Sequence, residues 1–188
     1  MSVNADESNK KLLARLDWNI NTSNRLSVRY NFTKNQAWNA TNGNSTDAGF
    51  RNNAMDRISQ NSMAFSNSLY SMDNTVSSVS MDLNSRISDH ISNQLLATYT
   101  SIEDGRGSNS SPFPFIDIMK GVTTDGKQIL EPYISAGYEL FTWNNGVHNN
   151  ISSITDNANF FLGSHKITFG ASFEHQMANN SYMRNGTG

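Results

Sequence analysis

Residues 25 to 34 read RLSVRYNFTK. Leu26, Val28, Tyr30 and Phe32 are apolar, while Arg25, Ser27, Arg29, Asn31 and Thr33 are polar. A period of two belongs to a strand and gives it one oily and one wet face. The segment is about ten residues long, the length a tilted strand needs to cross bilayer hydrocarbon. The pattern returns at residues 165 to 176, HKITFGASFEHQ, where Ile167, Phe169, Ala171 and Phe173 stand against Lys166, Thr168, Ser172 and Glu174. Short links and very long polar loops separate such strands, and that combination points to part of a transmembrane β-barrel.

Composition supports the same class. Only 36% of the 188 residues are hydrophobic and mean hydropathy is −0.56, a poor supply for an ordinary packed core. Charged residues are only 16% of the chain, which argues against a disordered tail. A barrel strand reconciles these facts by turning apolar groups to lipid and polar groups to a wet lumen. The net charge of −2 offers no basic surface, so no nucleic-acid partner is expected. With no cysteine there is neither a disulfide framework nor a thiolate metal site. No apolar run is long enough for a transmembrane helix. The opening MSVNADESNKK lacks the apolar stretch of a signal peptide, and for an exported barrel this suggests a fragment.

Six strands are expected, at about 10–19, 25–34, 65–87, 93–103, 148–162 and 165–177. In the first, Leu12, Ala14, Leu16 and Trp18 form the oily face, with Leu13 an exception. The region 65–87 admits a hairpin turning at Met72-Asp73-Asn74, or one long strand. Phe65, Leu69, Val79, Met81, Leu83 and Ile87 all sit on odd positions, so the single strand is preferred. It also places the short links at 20–24, 88–92 and 163–164 on one side and the long segments 35–64 and 104–147 on the other, as in outer-membrane barrels. In the fourth strand Leu95, Ala97 and Tyr99 face lipid, while Leu96 and Ile102 spoil the opposite face. In the fifth, Asp156 shares the parity of Ile154, Ala158 and Phe160; either the strand sits higher or a bulge changes its phase. Both chain ends fall on the long-loop side, which suggests a piece cut from a larger wall. The fold class is therefore all-β, an antiparallel up-and-down meander.

At this point the residues resemble TonB-dependent outer-membrane receptors, in particular the Oar-like group of the Bacteroidetes. The resemblance rests on KLLARLDWNINTSNRLSVRYNFTK (11–34), on LNSRISDHISNQLLATYTSIEDGRG followed by SPFPFIDI, and on FFLGSHKITFGASFEHQ (160–176). It implies a plugged barrel of roughly 22 strands that imports a scarce ligand with energy from the inner membrane. It also implies the partners: outer-membrane lipid, the remainder of the barrel and its plug, and the inner-membrane TonB complex through an N-terminal part. Neither a plug nor a TonB box is legible here, and six strands would leave two open edges in lipid, so the chain alone is not expected to transport. The alternative is a self-contained small β-barrel or an adhesin-like surface binding protein.

Candidate site residues follow from this frame. Arg15, Asp17, Arg25, Arg29, Asp82, Arg86 and Glu174 face the lumen, where they line a ligand path or form ladder ion pairs and plug contacts. Trp18, Tyr30, Tyr99 and Phe160 suit the membrane interface, which favours amphipathic rings, although aromatic β-propensity alone also explains them. In the outer loops, Trp38, Phe113, Phe115 and Trp143 are candidates for ligand contact. Together with Tyr133, Tyr138 and Phe141, loop 104–147 has the aromatics for a small folded cap. Asp104-Gly105-Arg106-Gly107 reads as a turn, since the strand-loop-helix setting of a phosphate cradle is lacking. His90, His148, His165 and His175 lack ligand spacing, so no metal, no cofactor and no enzymatic activity are expected.

Overall fold

The computed structural model describes residues 6–42 and 60–183. Among them, six long strands form one antiparallel sheet in the order β1-β2-β4-β5-β8-β9. They are β1 (Glu7–Asn19), β2 (Asn24–Asn39), β4 (Tyr70–Ser88), β5 (Ile91–Gly107), β8 (Gly146–Leu162) and β9 (His165–Ser181). Three shorter strands, β3 (Met63–Ala64), β6 (Ile116–Thr124) and β7 (Lys127–Ala136), make a second sheet in the order β3-β7-β6. Each pair within the large sheet follows the chain, so the wall is a meander. Of the expected long loop 35–64, residues 43–59 lie outside the described residues.

The wall strands are longer than the alternation suggests, and most of the extra length lies at the end away from the short turns. The strand expected from residue 65 begins at Tyr70, because Ser66–Ser68 form a 3-10 turn. Phe65 and Leu69 therefore leave the wall's phase; Leu69 is buried. No turn interrupts Met72 to Asn74, which pair continuously with Asp104 to Arg106. The single-strand reading holds.

Register ties the six strands into two faces. Cross-strand neighbours share a face, so one face carries Leu16, Val28, Met81, Ala97, Ile154 and Phe173 in a single hydrogen-bonded row. The next row on the other face holds Arg15, Arg29, Ser80, Thr98, Ser153 and Glu174. A slip of one residue in any pairing would mix the faces, and no such slip occurs across them. The one irregularity in the wall lies at Arg86/Ser88, beside a turn.

For Asp156 the bulge is excluded and the strand keeps its phase. Its pairings with Leu95 and Ala171 carry no bulge, and apolar Ile154 and Ala158 flank it on the same face. The carboxylate thus sits within the oily band, where Asn93 donates a hydrogen bond of 2.7 Å to it.

The short turns lie at one end. Asn21 closes the first by accepting from the amides of Ser23 and Asn24 at 2.9 and 2.8 Å, an Asx turn that fixes a hairpin without a large loop. Gly163, at φ +60°, makes the third. The row through Trp18, Leu26, Leu83, Leu95 and Asp156 starts two residues from Ile20 and ends seven from Gly163. It climbs about five residues (7 − 2) over four pairings, about 16 Å over about 19 Å of width, a tilt near 40°. Barrel strands in membranes tilt by that amount.

The second sheet replaces the expected loop 104–147 with a hairpin. Asp125 and Gly126 both have positive φ, 53° and 75°, the type I′ geometry that suits a two-residue hairpin. Gly137, at φ +103°, passes so close to Pro114 and Phe115 that a side chain there would overlap their backbone. This crossing, the bond from the Tyr138 amide to the Phe113 carbonyl at 3.3 Å and the parallel pairing of β3 with β7 fold the segment into a cap.

Candidate functional site: a polar wall beneath a folded cap

The wet face of the wall is a continuous hydrogen-bonded surface. Asp17 is its charged centre: Arg15 reaches it at 2.8 Å and Arg25 at 3.4 Å, and the Ser27 hydroxyl donates to it from the neighbouring strand. Asp82 accepts from Asn84 at 2.8 Å and from Gln94 at 3.1 Å. Toward β9 the charges give way to hydroxyls and amides, with Thr98 and Ser153 2.7 Å apart, Thr155 and Ser172 2.9 Å apart, and Thr168 donating to Asn159 at 2.8 Å. Alternation places a polar group at most wet-face positions, and many neighbours in register bond one another without a dry core, while Asn35 Oδ1 and Asn149 Oδ1 are enclosed without a partner.

The seven lumen candidates are not one cluster. Arg15, Asp17, Arg25, Arg29 and Asp82 gather across β1, β2 and β4. Arg86 is held at the second short turn by Asp89 at 2.6 Å. Glu174 lies in the same row as Arg29 but four strands away, about 19 Å at sheet spacing. One lateral end of the wall is cation-rich, and the other carries an isolated carboxylate.

All four interface candidates project from the oily face. Trp18 and Phe160 lie near the short turns, Phe160 edge-on to Phe169 at 5.9 Å; Tyr30 and Tyr99 lie toward the opposite end, and the Tyr99 hydroxyl donates to Asn150 at 3.0 Å. The placement gives two aromatic levels with aliphatic residues between them. Of the loop candidates, Phe113, Phe115 and Trp143 belong to the cap, with Phe113 and Trp143 about half exposed. Trp38 does not join them: it continues the oily-face parity of β2 beyond Phe32, its amide bonded to the Asp6 carbonyl at 3.3 Å.

A clamp that the sequence reading missed fastens the cap to the wall. Asp104 to Gly107 is the end of β5, not a turn. Gly107 is needed for close approach, since a side chain there would strike Ser71 Oγ and Asp73. Arg106 projects from the polar face, 3.7 Å above the Tyr70 ring and 5.9 Å from that of Phe141. Its guanidinium meets Glu139, fully buried in the cap, at 3.5 Å. Glu139 Oε2 also accepts from the Phe141 amide at 3.0 Å and from the Thr142 hydroxyl at 2.7 Å. Burial and the adjacent Glu139 carboxylate push the Tyr138 phenol above its ordinary pKa. Phe141 stacks on Tyr182, just past β9, at 6.4 Å. Tyr70, Arg106 and Tyr182 share the wet-face parity, so the cap stands over the polar side of the wall at the end away from the short turns. The residues carrying the clamp are spread from 70 to 182, and no local pattern joins them.

The geometry is that of a tilted wall, oily on one side and wet on the other, with a folded cap over the wet side's mouth. Searches of curated proteins and of solved structures give no match. The family described as outer membrane beta barrel domain matches residues 1–188. The chain belongs to this family of outer-membrane β-barrels, and the outer membrane is where it resides.

Proposed function

We propose that the chain is a wall segment and outer cap of a TonB-dependent receptor that imports a scarce ligand across the outer membrane. The observation that carries this reading is the cap: a loop excursion folded as its own sheet and clamped by Arg106–Glu139 over the polar face is suited to meeting a ligand before it enters a lumen. Long loops of this kind are commonly functional. The hydrogen-bonded polar face, with Asp17 and Asp82 at its charged end, then lines the route or receives the plug. Among the described residues the sheet's outer strands, β1 and β9, each present an unpaired backbone edge, which lipid does not tolerate; further strands of the same barrel are their natural partners. Energy comes from the inner-membrane TonB complex through a plug-bearing part.

The test is crosslinking in cells between the whole protein and the periplasmic domain of TonB. A crosslink that disappears on dissipation of the proton gradient, with uptake lost at the same time, is the expected result. Absence of any crosslink from a folded, surface-exposed protein would contradict the transport reading while leaving the barrel intact.

A further inference from the structure

On each wall strand the oily band gives way to a polar outward residue, although Trp38 on β2 and Met177 on β9 lie farther out on the same face. That polar residue, toward the cap end, is Lys10 on β1, Lys34 on β2, Ser77 on β4, Ser101 on β5, Ser152 on β8 and His175 on β9. Every one of these is able to donate a hydrogen bond, and none is an acid. The nearest outward carboxylates, Asp73 and Glu103, stand farther out and have partners already: Gln36 donates to Asp73 at 2.8 Å, and His148 lies 3.4 Å from Glu103.

Within this rim Lys10 and Lys34 are direct cross-strand partners. Like charges placed opposite each other on one sheet face repel, and among the described residues neither lysine makes an ion pair. Their same-face neighbours toward the short turns are Leu12 and Phe32, and a lysine stem is able to cover such apolar surface while its ammonium group stays at a polar boundary. Two adjacent cations that form no ion pair among the described residues, at the edge of a hydrocarbon band, fit one dianionic group that is itself anchored in that band.

We propose that Lys10 and Lys34 bind a phosphate monoester on the headgroup of an outer-leaflet lipid, with the acyl chains lying on the oily face below them. The lipid, not a free anion, is the source, because the lysines open onto the apolar surface of Leu12 and Phe32 and away from the lumen. The inference rests on the wall's place in the outer membrane and not on transport, so it stands or falls separately from the TonB reading.

The experiment is native mass spectrometry of the whole protein, extracted from outer membranes and titrated with a diphosphorylated glucosamine lipid. K10Q combined with K34Q is expected to weaken binding about thirtyfold, the loss of two lysine contacts to an anionic surface. K10R with K34R retains binding. K11Q removes the same charge from the opposite face and leaves binding unchanged. Unchanged affinity in a folded K10Q/K34Q protein overturns the proposal, as does an equal loss in K11Q. Displacement of the lipid by excess inorganic phosphate overturns the lipid source. Should the double glutamine variant not fold, K34Q alone carries the test, with about a fivefold loss expected and no loss contradicting it.

Discussion

The wall and the cap of this chain are built for different solvents. In the wall, Leu12, Leu16, Ile154 and Phe173 are each more than half exposed, and the polar side chains find partners on the opposite face. In the cap, the fully buried side chains include Glu139, Pro132 and Ser68, and Leu69 and Tyr138 are buried beside them. The wall is held by backbone pairing and by lipid against its oily face. The cap is held by a few specific polar contacts in water. Stability in the two regions should therefore respond to different kinds of change.

The largest effect is expected at the clamp. Glu139→Ala leaves the Arg106 guanidinium enclosed by Tyr70 and Phe141 without its anion, a change that costs about 3–5 kcal/mol for buried pairs. The loss should be confined to the cap. Limited proteolysis should cut between residues 108 and 145 while the wall keeps its heat-resistant electrophoretic mobility; simultaneous loss of the wall would show that the two regions fold as one. Next is Met81→Arg on the oily face, expected to cost about 2–4 kcal/mol as a fall in the urea midpoint in vesicles. Ser80→Arg, one residue away on the wet face, should change the unfolding free energy by less than about 1 kcal/mol, and equal effects would erase the distinction between faces.

Glycine provides a smaller contrast. Gly137→Ala in the cap combines a positive φ with a backbone overlap and should cost about 1–3 kcal/mol, read as faster cap proteolysis. Gly170→Ala in the wall chiefly has to displace the Asn157 side chain, with a cost under about 1 kcal/mol. The smallest change is a gain: Asp156→Leu removes a carboxylate from the oily band and should stabilise the wall by up to about 1 kcal/mol, read as a rise in the urea midpoint. A fall instead would mean that the Asn93–Asp156 bond matters more than its exposure to lipid.

The same contrast explains what the sequence disclosed. Wall strands carry their orientation residue by residue, so RLSVRYNFTK, its repeat at 165–176 and the odd-position phase from Val79 to Ile87 were legible by period alone. The strand ends were not, because above the membrane both faces meet water and the alternation fades; Asn35 to Asn39 therefore fell in the expected loop 35–64. The hairpin β6–β7 lay inside the expected loop 104–147, where only the aromatics pointed to a folded cap. Asp104 to Gly107 looked like a turn because glycine there answers to close packing with Ser71 and Asp73, a demand set by a distant strand. Glu139 and Arg106 meet across 33 residues, and nothing local announces them. Among the lumen candidates, five of seven are brought together because parity and register are local rules; Arg86 and Glu174 are separated by where their strands lie in the sheet.

The central claim is that one face of the wall meets lipid and the other water. The chain has no cysteine, so single cysteines placed in turn at Leu95, Leu96, Ala97, Thr98, Tyr99 and Thr100 can be spin-labelled without background in the whole protein reconstituted in vesicles. Positions 95, 97 and 99 should collide preferentially with oxygen, which partitions into lipid. Positions 96, 98 and 100 should collide with a water-soluble nickel complex. Loss of the two-residue alternation, or its appearance in the opposite phase, would contradict the account.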